Sequence, residues 1–218
     1  MTSARPPAQP SAKPLKRPTQ ARARFTVQAI YDAFVRIWQR DGWQRLTTRN
    51  VALETGISVG TLYDYFPSKT ALLSGYVRHY VETLLVCIER EAIAPPDLGW
   101  QQRLHHLVRL TCGVDAPELP WLHPEVLALE AQMAEPKHHR RVHEELLAAW
   151  TRVLAACTDL PQPVPAGTLL ALHLSIWGGR RYALLTQLDS AQWQQWALQM
   201  QSLCRSAVEG GFSLGQKT

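Results

Sequence analysis

"LETGISVGTLYDYFPSK", residues 53–69, places two glycines and a proline between segments that otherwise favour helix. Gly56 lacks a β-carbon and therefore tolerates the positive φ that a sharp turn requires. Only residues 56–58 then connect a short helix that ends at Gly56 to another that begins after Ser58. Two short helices joined by so brief a turn are typical of a helix-turn-helix motif.

The residues before this motif predict a longer helix. Apolar side chains recur there every three or four positions and form one stripe, made of Phe25, Ala29, Ile30, Ala33, Phe34, Ile37 and Trp38. Gly42 follows the stripe at a position where a left-handed residue commonly ends a helix. We therefore predict a first helix of roughly four turns that stops at Gly42.

Cap residues predict where the next helices begin. Thr47 or Thr48 can cap a second helix and Ser58 a third, because their hydroxyl oxygens accept hydrogen bonds from N–H groups of the first turn. Pro67 cannot continue a helix and ends the third one. Ser68 then caps a longer fourth helix, so this part of the chain is predicted to be entirely helical.

Helical spacing predicts which face of the third helix points outward. At about 100° per residue, Leu62 and Phe66 share one face and are expected to anchor the helix. The opposite face and its flanks carry small and polar groups, namely Gly60, Thr61, Tyr63, Asp64 and Tyr65. Such a face lets another backbone come close and offers it hydrogen bonds, as the major groove of DNA requires.

The charge is distributed unevenly along the chain. Residues 1–80 hold twelve lysines and arginines against four aspartates and glutamates, whereas residues 81–218 hold eleven against fourteen. A basic first third joined to a mildly acidic remainder is expected when only one part of a chain meets a polyanion. A solvated turn in an ordinary helical bundle would explain the glycines but not this local positive charge.

The stretch "TTRNVALETGISVGTLYDYFPSKTALL", within residues 25–75, resembles the DNA-binding signature of the TetR family of bacterial transcriptional regulators. The resemblance implies an all-α homodimer with three N-terminal helices for DNA. The larger C-terminal part would then hold a small inducer and the dimer contact. We accordingly expect a disordered basic arm over residues 1–20, a helix-turn-helix DNA-binding domain over 21–68, and a helical effector-binding and dimerisation domain over 69–218.

The resemblance also implies which residues contact DNA: Thr47, Thr48, Ser58, Gly60, Thr61, Tyr63, Tyr65 and Lys69. Gly60 and Thr61 are expected nearest the base edges, and the others mostly at phosphates. Free N–H groups at helix N-termini attract phosphate, which supports Thr48 and Ser58 independently. Arg49 is expected to add salt-dependent attraction. The basic arm either enters a neighbouring minor groove or only aids solubility.

Two apolar sets near the C-terminus predict either a dimer surface or the chain's own core. They lie at helical spacing on the last two helices, with Leu169, Leu172, Ile176 and Leu184 on one, and Trp193, Trp196, Met200 and Leu203 on the other. A four-helix bundle between subunits would bury them, and Gly178 and Gly179 would allow close approach. The residues leave both interpretations open. The resemblance favours the dimer, whose recognition helices would lie about 34 Å apart on a pseudo-palindrome.

Ligand chemistry is less clearly encoded. Six tryptophans of the C-terminal part either line an effector pocket or fill the core, and these are Trp100, Trp121, Trp150, Trp177, Trp193 and Trp196. His139 and His143 stand one helical turn apart. No metal is expected there, because cationic residues surround them and a site needs three or four convergent ligands. Arg180 and Arg181 are expected to meet either an acidic ligand group or a helix partner across the dimer.

These patterns predict a DNA-binding transcriptional regulator, a repressor that leaves a palindromic operator when a small organic effector of unknown identity binds. The alternatives are a non-specific architectural DNA-binding protein and, less favoured, an all-helical enzyme. No catalytic motif or phosphate loop occurs, so neither catalytic residues nor a cofactor is expected. The widely spaced cysteines and the lack of a long apolar stretch favour a cytoplasmic protein without a membrane segment.

Overall fold

The computed structural model describes residues 21–130 and 133–210, and within those ranges its regular structure is entirely helical. The helices are α1 (Ala21–Arg45), α2 (Thr48–Thr55), α3 (Val59–Tyr65), α4 (Lys69–Ile88), α5 (Trp100–Cys112), α6 (Glu125–Glu130), α7 (Pro136–Ala155), α8 (Ala166–Leu185) and α9 (Ser190–Gly210). A π-helical turn, Glu89–Ile93, follows α4 directly. The predicted all-α class is confirmed.

Two compact units divide the chain, the first ending at His79 and the second beginning at Tyr80. The predicted domain boundary after residue 68 falls at the start of α4, and as a functional boundary it stays a prediction. The predicted arm over residues 1–20 lies outside the described residues. Within the described ranges, no helix combines the length and the apolar character needed to cross a bilayer.

The core of the first unit forms along one face of α1. Its buried stripe consists of Val27, Ile30, Tyr31, Ala33, Phe34, Ile37 and Trp38. Phe25, which the spacing assigned to this stripe, is instead 79% exposed. The prediction was wrong there because the stripe passes through Val27, and Phe25 lies about 200° around the helix from that residue.

Gly42 bends α1 near its end. It has φ 76° and ψ 166°, so the positive φ is present, but ψ is extended rather than left-handed helical. Helix continues from there to Arg45, and the expected stop is therefore a kink. Beyond the kink Trp43 packs against Trp38, with ring centroids 5.0 Å apart. Tilted ring pairs of this kind add to the stability of an aromatic core.

The caps of α2 and α3 lie where the sequence predicts them. The Thr47 hydroxyl accepts from Asn50 N at 3.1 Å, and the Ser58 hydroxyl accepts from Thr61 N at 3.0 Å. Gly56 ends α2 with φ 74° and ψ 22°, in the left-handed region. Each cap satisfies a backbone group that has no partner inside its own helix.

Two prolines lie at the beginnings of helices in the second unit. Pro124 directly precedes α6, whereas Pro136 is the first residue of α7. Pro136 is therefore part of α7. The first position of a helix suits proline because the N–H that proline lacks has no intrahelical partner there.

The core of the second unit is centred on α5, which packs against α7, α8 and α9. Leu104, Leu107 and Val108 share one face of α5, since they are spaced three and four residues apart. They belong to one cluster of buried side chains with Trp150 of α7 and Ile176 of α8. This cluster orders the four helices as one body.

We expect Gly56→Ala to lower the free energy of unfolding by about 1 kcal/mol, because an alanine β-carbon is strained in the left-handed region. Gly60→Ala is the matched control, since its β-carbon would lie at an ordinary 3.7 Å from the Ser58 hydroxyl. Urea denaturation followed by circular dichroism measures both. Equal stability of the two variants would contradict a strained turn at Gly56.

Candidate nucleic-acid interface

The orientation of α3 follows from two anchors. Leu62 and Phe66 are buried in the first unit. Gly60 and Asp64 are exposed, and Tyr63 is 45% exposed. The expected inner and outer faces of the helix are therefore confirmed, and small, hydroxylic and acidic groups face outward.

Hydroxyl pairs connect several of the predicted DNA contacts. Thr48 Oγ1 lies 3.2 Å from Tyr63 Oη, which joins the start of α2 to α3. Ser58 Oγ lies 2.8 Å from Thr61 Oγ1 within the first turn of α3. A hydroxyl group both donates and accepts, so each pair retains hydrogen-bonding capacity toward an outside partner. Tyr65 is half-buried.

The N-terminus of α2 adds charge to this surface. Thr47 and Arg49 are exposed, and Thr48 is half-buried between them. Free N–H groups of a first turn together with a guanidinium favour an anion such as phosphate. The structure thus places four of the predicted contacts, Thr47, Thr48, Arg49 and Tyr63, on adjoining parts of α2 and α3.

Lys69 is engaged within the first unit. Its ammonium donates to the backbone carbonyl of Trp43 and lies 3.9 Å from the centroid of the Trp43 ring. The Ser68 hydroxyl accepts from Ala71 N at 3.0 Å, as its predicted cap role requires. The sequence signalled the helix start but not the tryptophan, because 26 residues separate the two partners. The Lys69 charge is therefore positioned by a cation–π contact.

An ion-pair network links α1 to α2 and was not anticipated. Glu54 accepts from Arg36 Nε at 2.8 Å and from Arg40 Nη1 at 3.3 Å. Arg40 also pairs with Asp41 at 2.9 Å, and this hydrogen bond lowers the pKa of the Asp41 carboxyl. The pair of Arg40 and Asp41 could have been suggested by their adjacency in the sequence, but the two pairs with Glu54 depend on how α1 and α2 pack. These two arginines consequently have acidic partners within the chain.

The arginine and histidines that the sequence offered for binding a ligand or a metal contact side chains of their own chain in the second unit. Arg181 pairs with Glu130 at 2.6 Å, so it meets an acidic group of its own chain. His139 Nδ1 lies 3.5 Å from the same carboxylate, whereas His143 Nδ1 lies 3.2 Å from His173 Nε2. The two histidines of the predicted pair thus engage different groups. In the described ranges no three metal-type ligands converge.

A groove of about 570 Å³ lies between α5 and α9. It is lined by Trp100, Gln101, Gln102, Leu104, His105, His106, Leu198, Gln201, Ser202 and Arg205. Of the six tryptophans, Trp100 borders the groove and Trp150 is fully buried in the core. The idea of a tryptophan-lined effector pocket stays a prediction.

Comparison with known proteins identifies the motif. Residues 30–75 match the family model described as bacterial regulatory proteins, tetR family. The nucleoid occlusion factor SlmA of Actinobacillus pleuropneumoniae is 33% identical over 76 residues, which are 35% of this chain and 36% of that protein. The HTH-type transcriptional repressor DrrR1 of Streptomyces coeruleorubidus is 31% identical over 101 residues, 45% of this chain and 34% of that protein.

The alignments span about a third of the length of these relatives. A solved TetR transcription regulator from Haloarcula marismortui superposes with a TM-score of 0.59 at 18% identity, over 85% of this chain and 97% of that one. At that identity the match establishes the shared fold. The matched family model describes regulatory proteins and one of these relatives is named a transcriptional repressor, which agrees with the prediction that the chain is not an enzyme.

Tyr63→Ala is expected to weaken DNA binding roughly fivefold or more by removing one hydroxyl contact. Its folding should be nearly unchanged, because the ring is 45% exposed. Fluorescence anisotropy on a DNA fragment obtained by in vitro selection measures the binding, and thermal unfolding measures the stability. Tyr63→Phe is the control that keeps the ring. An unfolded Tyr63→Ala variant would show that the ring belongs to the core.

Proposed function

We propose that this chain, whose residues 30–75 match the family model of the bacterial regulatory proteins of the tetR family, is a cytoplasmic repressor that binds a palindromic operator as a homodimer and leaves it when a small organic effector binds. The orientation of α3 carries the proposal. Leu62 and Phe66 are buried, and the opposite face exposes Gly60 beside hydroxyl groups. An outer face of this kind fits a major groove, where the backbone must approach base edges.

The proposed DNA contacts divide into two groups. Gly60 and Thr61 are assigned to base edges, because they lie in the first turn of α3, where Gly60 is exposed and Thr61 is half-buried. The remaining residues are assigned to phosphates, and they are Thr47, Thr48, Arg49, Ser58, Tyr63, Tyr65 and Lys69. Phosphate contacts set the position of the protein on the duplex, whereas base contacts select the sequence. The 2.8 Å pair of Ser58 and Thr61 hydroxyls would hold one member of each group in place.

Of the apolar side chains first suggested for the dimer surface, the proposed surface retains only Leu203. Leu169, Leu172 and Ile176 are buried in the core of their own unit. The neighbouring positions of the same helix form an exposed apolar stripe, here called the α8 stripe, made of Leu170, Leu174, Gly178, Tyr182 and Leu185. Leu198 and Leu203 of α9 are exposed as well. A second copy of the chain would cover these groups in a four-helix bundle.

The two adjacent glycines of α8 have different surroundings. A β-carbon at Gly179 would lie 3.0 Å from Trp196 Cζ2, so this glycine lets α9 pack against α8 within the unit. A β-carbon at Gly178 would meet nothing within 4 Å. Because Gly178 has no side chain, the middle of the α8 stripe would allow a partner helix to approach closely.

Regulation requires a coupling between effector and operator. We propose that the effector binds one dimer geometry better than the other and so changes the separation of the two α3 helices. A ligand with equal affinity for both geometries would shift nothing. The sign of regulation is proposed as repression, in agreement with the relative that is a transcriptional repressor.

Binding to a selected palindromic fragment should be specific and strongly salt-dependent. The affinity is expected to fall about a thousandfold between about 50 and 200 mM salt, as roughly six phosphate contacts would require. Gel-shift titration against an unrelated fragment of equal length measures both properties. Equal affinity for the two fragments would favour the architectural alternative and contradict a sequence-specific regulator.

Leu174→Glu should convert the dimer to a monomer, since it places a charge in the centre of the α8 stripe. Val86→Glu is the matched control, because Val86 is an apolar residue of α4 that is at least as exposed, with 62% for Val86 and 51% for Leu174. Light scattering coupled to size-exclusion chromatography measures the mass of both variants. A dimeric Leu174→Glu variant would place the interface elsewhere.

A further inference from the structure

The second unit buries two arginines, and their hydrogen bonding differs. Arg103 is 3% exposed and donates to four backbone carbonyls, those of Ala92, Ile93, Pro95 and Leu98, at 2.6 to 3.0 Å. These bonds tie the end of the π-helical turn to α5. A buried guanidinium needs this number of acceptors, because each unpaired donor opposes burial. Arg103 therefore has a complete structural role.

Arg180 of α8 is 6% exposed but has far fewer acceptors. It donates to the Thr111 carbonyl at a long 3.3 Å, and its Nε has no hydrogen-bond partner. Its guanidinium carbon lies 4.9 Å from the Tyr80 ring centroid and 5.8 Å from that of Trp177. In the described ranges no carboxylate forms an ion pair with it. The aromatic rings and one carbonyl compensate the charge only in part.

Further unpaired polar atoms lie along the same part of the unit. In the described residues five buried side-chain polar atoms have no hydrogen-bond partner, and four of them are Tyr80 Oη, Trp150 Nε1, His173 Nδ1 and Arg180 Nε. Trp150 and His173 adjoin, with ring centroids 6.0 Å apart. His173 and Arg180 are two helical turns apart on one face of α8, about 10 Å along its axis. Native cores rarely leave so many polar atoms unpaired in one region.

We propose that this buried cluster is the effector site and that its ligand is an elongated organic carboxylate. The carboxylate would accept hydrogen bonds from Arg180 and Tyr80. A second oxygen about 10 Å away would accept from Trp150 or His173. The inference deepens the proposed function, on which it rests, by naming the chemical class of the effector. Entry of the ligand requires a local opening of the unit, since all four side chains are buried.

The charge states of the clustered side chains favour an anion at Arg180. Burial raises the pKa of the Tyr80 phenol and outweighs the opposing effect of the adjacent Arg180 guanidinium, so Tyr80 stays neutral. Burial and the neighbouring His143 lower the pKa of His173 to about 4, so His173 is uncharged at neutral pH. The single net charge of the cluster is thus the Arg180 cation. A carboxylate neutralises it through two parallel hydrogen bonds, which an uncharged amide cannot do.

The first test needs no ligand. Arg180→Met should unfold at the same temperature as the wild type or higher, because it removes a buried cation that lacks full compensation. Arg103→Met should unfold at a clearly lower temperature, because it leaves four carbonyls without their donor. Differential scanning calorimetry measures both. A loss in Arg180→Met as large as that in Arg103→Met would show a purely structural role and overturn the proposal.

The second test uses para-coumarate, ferulate and suberate, each compared with its uncharged amide. At least one carboxylate should bind the wild type, and Arg180→Met should weaken that binding about tenfold to a hundredfold. Arg181→Gln should bind normally, since Arg181 is paired with Glu130. Isothermal titration calorimetry measures the affinities. No binding by any of the three, or equal binding by the amides or by Arg180→Met, would overturn the proposal.

The two proposals fail in different ways. Carboxylate binding by a chain that does not bind a palindrome would leave the ligand site standing and remove the regulator. Specific DNA binding that Arg180→Met retains, with carboxylates neither binding nor releasing the operator, would keep the regulator and remove the ligand class. Release of the operator by a compound that binds the groove between α5 and α9 would likewise support the regulator and contradict the proposed effector site.

Discussion

The left-handed conformation of Gly56 is the constraint on which the first unit depends. Its φ of 74° reverses the chain in a single residue, so that α3 starts immediately after the cap of Ser58. Leu62 and Phe66 then reach the core formed along α1. Burial of this face of α3 determines which residues lie on its exposed face, because the helical repeat fixes the angle between positions. The exposed hydroxyl groups follow from a turn and two apolar anchors.

Local chemistry explains which features could be predicted from the sequence. Caps, the turn and the faces of α3 depend on residues fewer than five positions apart, and spacing therefore predicts them. Phe25 was assigned wrongly because a helix of mixed composition offers two overlapping apolar stripes, and only packing selects between them. The contact of Lys69 with Trp43 joins residues from separate helices. No local pattern encodes such a pair.

The C-terminal helices show the same limit in another form. Both sides of α8 carry leucines, so spacing could not tell the core from a surface for a second copy. Burial of Leu169, Leu172 and Ile176 resolves the question for one side and leaves the α8 stripe exposed. The two glycines differ for a similar reason. Trp196 fills the space beside Gly179, whereas the space beside Gly178 is open. The sequence alone does not distinguish these two adjacent glycines.

Arg103 and Arg180 together suggest how a helical unit can hold a site without an open cavity. The first guanidinium is saturated by carbonyls and stabilises the fold, whereas the second has one long bond and an unpaired Nε. Incomplete pairing makes the ligand-free state less favourable than it could be. An anion that supplies the missing hydrogen bonds to Arg180 therefore gains binding free energy, because the ligand-free unit leaves these donors unpaired. On the proposed function, this difference is the differential affinity that any effector-controlled regulator needs.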